Sequence, residues 1–143
     1  MIRRMIALAL VAGVEVTAAA GPTPSPAAAG AALEGTHWNL VALDGTSVEA
    51  GPRILLERKK SKRQLSGSTG CGLMRGQYDL FAGRLRIAPD PPKKPDCSEA
   101  LRSQEAAFLA ALRETADYRI SGDALTLLAP DGHPLARFTR SVP

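Results

Sequence analysis

The chain has few of the residues from which catalytic and metal sites are commonly built. Its 143 residues include two cysteines, two histidines, one tryptophan, two tyrosines and three phenylalanines. No C-x-x-C or H-x-x-x-H spacing occurs, which argues against a structural zinc site, and the G-x-x-x-x-G-K-[ST] pattern of a phosphate-binding loop is missing. We therefore expect neither a metal nor another cofactor, and a core whose bulk comes mainly from leucine.

The excess of positive charge is also small. Lysine and arginine number 18 against 14 aspartates and glutamates, a net charge of +4, and the part that follows residue 20 carries +3. A balance this mild does not indicate a nucleic-acid partner. No apolar run is long enough to span a bilayer comfortably.

The first 20 residues have the three parts of a secretory signal peptide. The basic start M-I-R-R-M precedes an apolar run at 6–16, which Glu15 interrupts, and then alanines at 18–20. No cysteine follows for lipid attachment. We predict cleavage and export to the periplasm or beyond; the alternative is a disordered apolar tail on a cytoplasmic protein. Residues 21–32, rich in proline and alanine, predict a flexible linker, and residues 33–143 one folded domain.

Alternating apolar and polar residues predict seven or eight short strands in that domain. In the first of them Trp38, Leu40 and Ala42 fall on one face. The predicted strands lie at 36–43, 53–57, 64–68, 76–80, 84–88, 117–120, 124–128 and 135–139. Their close spacing favours an antiparallel sheet, strongly curved or closed into a small barrel, and therefore an α+β, mainly β fold. The proline-rich residues 89–96 predict a surface loop.

A single helix is predicted between the strands. Asp96 and Glu99 have the spacing of an N-cap and a capping box, and the helix then runs to about residue 115. Its apolar face carries Leu101, Phe108, Leu109 and Leu112. Glu105 falls in the middle of that face, where a carboxylate needs a donor or a raised pKa. We expect Glu105 to accept from backbone N–H groups of the strand that it covers; a role in a site is the alternative.

The stretch 64–78, Q-L-S-G-S-T-G-C-G-L-M-R-G-Q-Y, places four glycines around a cysteine. Its glycines predict a β-bulge and a sharp corner; they are Gly67, Gly70, Gly72 and Gly76. Cys71 has three interpretations: a nucleophile beside a base, a free buried thiol, or a disulfide partner of Cys97. Neither His37 nor His133 has the motif context of such a base. An exported protein with two cysteines usually pairs them, and closing this loop would add about 3–4 kcal/mol on the chain-entropy estimate.

Five basic residues lie within six positions between the second and third predicted strands. They are Arg58, Lys59, Lys60, Lys62 and Arg63. A solvated hairpin tip is the structural interpretation, and contact with phosphate or an anionic envelope polymer is the functional one. No aromatic residues interleave with the run, so stacking on nucleic-acid bases is unsupported.

Several short motifs occur along the chain in an order typical of one protein family. They are G-T-x-W at 35–38, L-S-G-x-x-G-C at 65–71, G-x-Y at 76–78, the second cysteine at 97, E-x-x-F-L-x-x-L at 105–112 and I-S-G-x-x-L-x-L at 120–127. By these motifs residues 33–140 resemble the META domain family, the HslJ-like proteins of bacteria. Two places depart from the family pattern. Gly72 stands where Asn is common, and Lys93, Lys94 and Pro95 stand where Thr and Met tend to precede the second cysteine.

The resemblance implies a single small β-rich domain, often exported, whose members are linked to stress response, motility or secretion. It implies no established catalytic activity. We therefore expect an exported, monomeric, non-enzymatic module of the cell envelope, which binds an unidentified envelope protein or anionic polymer or protects against stress. The alternative is a small-ligand carrier or hydrolase with a pocket at the barrel mouth, for which Trp38, Tyr78 and Glu105 are the first candidates.

Overall fold

A computed structural model describes residues 13, 32–49, 51–93 and 96–141. The predicted signal peptide at 1–20 and nearly all of the linker at 21–32 lie outside these residues, so both stay predictions. Within the described residues the elements are β1 (His37–Leu43), β2 (Thr46–Ser47), β3 (Arg53–Lys59), β4 (Lys62–Ser68), β5 (Leu73–Phe81), β6 (Arg84–Asp90), α1 (Glu99–Glu114), β7 (Asp117–Ser121), β8 (Ala124–Leu128) and β9 (Pro134–Arg140).

The strands form one antiparallel sheet that curls nearly into a barrel. Their spatial order is β6, β5, β4, β3, β1, β9, β8 and β7, and the short β2 pairs with β1 alone. The edge strands β6 and β7 approach each other, and α1 packs on β6 and also contacts β9, β1 and β8. The expected fold, mainly β with one helix packed on a small antiparallel barrel, is confirmed.

Leucine side chains fill much of the interior, as the composition predicts. Trp38, Phe108 and Phe138 are fully buried among them, and the rings of Phe108 on α1 and Phe138 on β9 lie 6.2 Å apart. The buried leucines are Leu33, Leu40, Leu56, Leu65, Leu85, Leu109, Leu112, Leu125, Leu127, Leu128 and Leu135. Each large apolar side chain taken from water contributes roughly 1.5–3 kcal/mol. This packing leaves the ends and the outer face of the barrel as the places where a ligand can bind.

Strand β1 departs from the predicted alternation after Leu40. Trp38 and Leu40 are buried, as expected. The register with β9 then shifts between Leu40 and Ala42, which makes Val41 the extra residue of a β-bulge. Beyond the bulge Leu43 packs against the core, whereas Ala42 lines a hollow on the outer surface. The prediction that Ala42 faces inward was wrong, because a bulge reverses the alternation that follows it.

The glycines near Cys71 permit close strand packing and do not form a bulge. Gly67 and Gly76 lie in unbroken ladders of β4 and β5, and the register shifts fall between β9 and its two neighbours instead. A Cβ at Gly67 would collide with the carbonyl oxygen of Arg53, and one at Gly76 with that of Ala88. The predicted bulge was therefore misplaced, whereas the predicted sharp corner is present between β4 and β5.

Strand β6 continues into the segment that was predicted to be a loop. It ends at Asp90, and Pro89 pairs with Gly76 of β5. This is possible because β6 is an edge strand, where a residue without an N–H interrupts no ladder on its outer side. The irregular part of the segment begins only after Asp90.

Helix α1 begins later than its predicted N-cap. Ser98 is the N-cap, and its hydroxyl accepts from the N–H of Leu101 at 3.4 Å. Asp96 lies two residues before this N-cap, and its backbone N–H donates to the carbonyl of Cys71 at 3.1 Å. In the described part of the chain, no helix is both long and apolar enough to cross a membrane.

Candidate functional site

A disulfide joins the corner between β4 and β5 to the start of α1. Cys71 and Cys97 are bonded, with their Cα atoms 5.1 Å apart. Cys71 is buried, and the hydrogen bond from Asp96 to its carbonyl lies directly beside the bond. Neither sulfur is a thiolate in this form, so the interpretation of Cys71 as a nucleophile has no support in the structure. The bond attaches the helix to the sheet.

Glu105 makes a second link between α1 and the same corner. Its Oε2 accepts a hydrogen bond from the hydroxyl of Thr69, a residue that is only 1% exposed. The Thr69 oxygen in turn accepts from the N–H of Cys71 at 3.2 Å. The expected donor to Glu105 was a strand N–H, and that expectation was wrong. The donor is the hydroxyl of a threonine side chain at the corner. Glu105 thus satisfies a buried hydroxyl and holds the corner against the helix.

Trp38 is a core residue rather than part of a binding surface. Its side chain has no exposure, and its Nε1–H donates to the carbonyl of Leu33 at 3.2 Å. The guanidinium of Arg140 lies 5.4 Å from the ring centroid, a distance suited to a cation–π contact. These contacts fix the chain entering β1 and the end of β9, because Leu33 precedes the one and Arg140 ends the other.

The three candidates for a barrel-mouth pocket are not brought together. Tyr78 lines a hollow of about 450 Å³ between the β5–β6 hairpin and the end of α1. It also lines one of about 740 Å³ along the outer face of β3 to β6. Trp38 and Glu105 line none of the larger hollows that the described residues form. A single site built from Trp38, Tyr78 and Glu105 is therefore not present.

The basic run is divided between the two faces of a hairpin. Strands β3 and β4 pair as far as Lys59 and Lys62, so only Lys60 and Ser61 form the turn, with Lys60 at φ +57°. Arg58 lies opposite Arg63, on the face that carries the buried leucines of both strands. Lys59 lies opposite Lys62 on the outer face and forms an ion pair with Glu57 at 3.1 Å. The run is thus not one patch at a hairpin tip, because successive strand residues point to opposite faces.

Arg58 and Arg63 belong to a row of polar groups at one end of the barrel, here called the hairpin end. Gln64 pairs with Gln77 in the antiparallel register of β4 and β5. Arg63, which precedes Gln64, therefore lies opposite Tyr78, which follows Gln77. Tyr78 is 3% exposed. Within the described residues, the Tyr78 hydroxyl and the Arg63 Nε are the buried side-chain atoms without a hydrogen-bond partner.

Glu34 and Tyr118 complete the hairpin end. The N–H of Gly35 donates to the carbonyl of Leu56 at 2.8 Å, which places Glu34 beside the end of β3. Burial, followed by the Glu34 carboxylate, raises the pKa of Tyr78 well above its usual value; the charges of Arg63 and Arg58 oppose this. Burial, Asp117 and Glu34 raise the pKa of Tyr118 as well. Glu34 is near enough to act on the Tyr78 hydroxyl, although no hydrogen bond of normal geometry joins them.

Sequence reasoning named Tyr78, Arg58 and Arg63 separately but missed that they are neighbours. It missed Glu34 and Tyr118 altogether. The signal that could have found part of the cluster is alternation: extending β3 by two residues puts Arg58 on the same face as the buried Leu56. Glu34 lies before the first strand, where no periodic pattern reports on position.

Both histidines are exposed and lie outside this cluster. His37 is exposed on β1. His133, in the turn before β9, has its Nδ1 2.6 Å from Asp131 Oδ1. Hydrogen bonds from the backbone and ring of His133 lower the pKa of Asp131. Among the described residues no three His, Cys, Asp or Glu side chains are grouped as a metal site would need.

Comparison with known proteins identifies the family. The sequence profile of the META domain matches residues 31–142. The chain belongs to the META domain family. No curated protein matches the sequence.

Solved structures show the same fold as this META domain. The NMR structure of a protein from Burkholderia xenovorans is 22% identical, covers 100% of both chains and superposes with a TM-score of 0.61. A second protein solved by NMR is 19% identical over 80% of this chain and 93% of its own, with a TM-score of 0.59. A crystal structure of a DUF4847-family protein from Bacteroides vulgatus is 16% identical over 75% of this chain and 93% of its own, with a TM-score of 0.55. Sequence identities this low show a shared fold and nothing more.

The first departure from the META domain pattern, at Gly72, has a structural explanation. Gly72 packs on the proline-rich segment, and a Cβ at that position would lie 2.9 Å from the Cβ of Pro92. An Asn at position 72 would therefore displace this segment. The absence of a side chain at Gly72 therefore accommodates Pro92.

Proposed function

We propose that this META domain protein is exported to the cell envelope, where it acts as a non-enzymatic binding or stress-protective module. The observation that carries the compartment is the bond between Cys71 and Cys97. Disulfides persist in oxidising compartments and are rare in the reducing cytosol. The signal-peptide pattern of residues 1–20 supports the same compartment.

The contacts at the corner support a binding role over a catalytic one. The most reactive groups there are the two cysteine sulfurs and the Glu105 carboxylate. All of them hold the helix on the sheet. Nucleophilic catalysis needs a free nucleophile with a base in hydrogen-bond reach. A corner whose reactive groups are engaged in structure instead presents a rigid surface to a partner.

A second candidate function, a small-ligand carrier, is favoured by the hairpin end. The buried Tyr78 hydroxyl and Arg63 Nε lack partners there, and buried polar groups of this kind are normally satisfied. Arginine and tyrosine are groups that hold and orient a ligand, so a carrier is better supported than a hydrolase.

The compartment is tested by the size and thiol state of the protein in its cell. We expect the full chain, expressed in a Gram-negative bacterium, to reach the periplasm without its first 20 residues and to resist labelling by a thiol-reactive polymer until it is reduced. The matched control lacks residues 2–20, so it should remain in the cytosol with two labelled thiols. Full-length, cytosolic protein labelled at both cysteines would contradict export.

The binding role is tested with the oxidised protein as bait in envelope extracts from unstressed, heated and oxidised cells. The control bait is the same protein reduced and alkylated, which loses the fixed corner. A partner held by the oxidised bait and lost with the control supports a binding module. No partner under any of the three conditions would contradict it.

A further inference from the structure

The hairpin end carries an arrangement that is unfavourable without a ligand. Arg58 and Arg63 lie directly opposite each other on neighbouring strands, and like charges in that relation destabilise a sheet. In the described part of the chain neither guanidinium forms an ion pair with a carboxylate. Lys59 and Lys62, the next pair, differ because both are exposed and Lys59 pairs with Glu57, whereas Arg63 is half-buried and only Arg58 is exposed.

The same end contains unused hydrogen-bonding capacity. Tyr78 is nine-tenths buried or more, and its hydroxyl has no hydrogen-bond partner of normal geometry, although the Glu34 carboxylate is near enough to act on it. The buried Nε of Arg63, opposite Tyr78, is likewise a donor without an acceptor. A buried donor without an acceptor is destabilising. The Arg63 Nε thus lacks an acceptor, and the Tyr78 hydroxyl has only the poorly aligned Glu34 carboxylate, while two positive charges lie beside them.

We propose that Arg58, Arg63 and Tyr78 form a binding site for a free carboxylate group, carried by a small organic acid or by the C-terminus of a peptide. The carboxylate accepts from the guanidinium of Arg63 and from the Tyr78 hydroxyl, while Arg58 neutralises it from the exposed side. Arginine donors match the two oxygens of a carboxylate in a planar, bidentate geometry. The site rests on the proposed binding role, and it names the ligand chemistry of the second candidate function.

The charge at the site favours a carboxylate over a phosphate. Two arginines and Glu34 leave a net charge of +1, which a singly charged carboxylate cancels. A doubly charged phosphate would leave an excess negative charge beside Glu34. The Tyr78 hydroxyl is protonated at neutral pH, as a tyrosine ordinarily is, so it is available as a donor.

The barrel admits the carboxylate and little of the ligand behind it. Inward of the row lie the fully buried Leu56 and Leu65, whose packing leaves the ligand's remaining atoms outside the interior. Glu34 stands beside the row and competes with the incoming carboxylate.

The test is an NMR titration of the full chain, with its disulfide intact, at constant ionic strength. The probes are acetate, inorganic phosphate, and a short alanine peptide with a free or an amidated C-terminus. We expect acetate to shift the Nε–H resonance of Arg63 with saturation, and phosphate to bind at least several-fold more weakly. A free peptide that binds tighter than acetate, with its amide inactive, assigns the ligand to peptide C-termini. Equal shifts from acetate and both peptides overturn the site.

Two double variants separate the site from the charge of the hairpin. Arg58→Gln with Arg63→Gln should weaken acetate binding at least tenfold. Lys59→Gln with Lys62→Gln removes the same charge from the outer face and should change it less than twofold. Equal losses in the two variants would show screening by surface charge only and would overturn the proposal.

Two single variants test the remaining groups. Tyr78→Phe should weaken acetate binding several-fold, and Glu34→Gln should strengthen it several-fold because a competing charge is removed. If Glu34→Gln leaves binding unchanged or weakens it, the carboxylate does not bind beside Glu34 and the site is wrong. The compartment and pull-down experiments do not depend on these results, so failure here leaves the export proposal intact.

Discussion

The link between Cys71 and Cys97 offers the sharpest test of how this small domain is stabilised. Replacing both cysteines by serine removes the bond but leaves the neighbouring contacts in place. The N–H of Asp96 still donates to the carbonyl of residue 71, and Thr69 still donates to Glu105. We therefore expect the native corner to persist, and the loss of stability to arise mainly in the unfolded chain.

The magnitude follows from the length of the loop. The two cysteines are 26 positions apart, and on the chain-entropy estimate a loop of this size restricts the unfolded chain by about 3.5 kcal/mol at 25 °C. For a folded domain of this size such a change lowers the melting temperature by about 10–20 °C. This is a large share of the 5–15 kcal/mol typical of domains.

The assay is urea unfolding followed by circular dichroism, with the oxidised protein, the double serine variant and the oxidised protein after reduction. Reduction and substitution should lower the free energy of unfolding by the same amount, because both remove only the cross-link. A loss below about 1 kcal/mol in both would refute the entropic reasoning. A loss on substitution without one on reduction would show that serine disturbs the native corner.

Two further predictions concern the strand packing and the buried tyrosines. Gly76→Ala should lower the free energy of unfolding by about 2 kcal/mol or more, because the new Cβ meets the carbonyl of Ala88. Gly45→Ala should lower it by about 1 kcal/mol, because the space there is open and only the positive φ is unfavourable. Equal losses in urea unfolding would contradict this. Tyr78 and Tyr118, the two tyrosines of the chain, have raised pKa values. Their phenolate absorbance should therefore appear at higher pH in the native than in the denatured protein, where it appears near pH 10. The folded state holds these protons more tightly, so stability is retained below about pH 10 and falls above it; superimposable native and denatured titrations would rule out the raised values.

Local pattern was sufficient for the helix, for every strand except the short β2, and for the faces of most of these elements. Trp38 and Leu40 in β1 and Leu85 and Ile87 in β6 are buried as alternation predicts. Period-two and helical patterns succeed because burial on one face repeats along each element. The pairing of the two cysteines was predicted from their number and from the expected export of the protein. The family was recognisable because its motifs lie at turns and core positions along the whole chain.

Positions that depend on contacts between distant segments were not predictable. The bulge at Val41 is caused by pairing with β9, and it alone decides that Leu43 faces inward. A bulge set by a distant strand is a tertiary effect on local geometry, and the neighbouring residues show no pattern that predicts it. The N-cap of α1, by contrast, is a residue type that commonly caps helices, Ser98, and lies two residues after the predicted Asp96.

The sequence by itself determined that this is a small, mainly β domain with one helix and one cysteine pair. Short-range periodicity and glycine placement are properties of neighbouring residues, so they can be read along the chain. Only the tertiary structure decided that Glu105 meets Thr69, and that Arg58 and Arg63 are separated from the adjacent lysines and gathered with Tyr78 at one end of the barrel. The physical reason is register: which strand lies beside which, and at what offset, is set by the packing of the whole core.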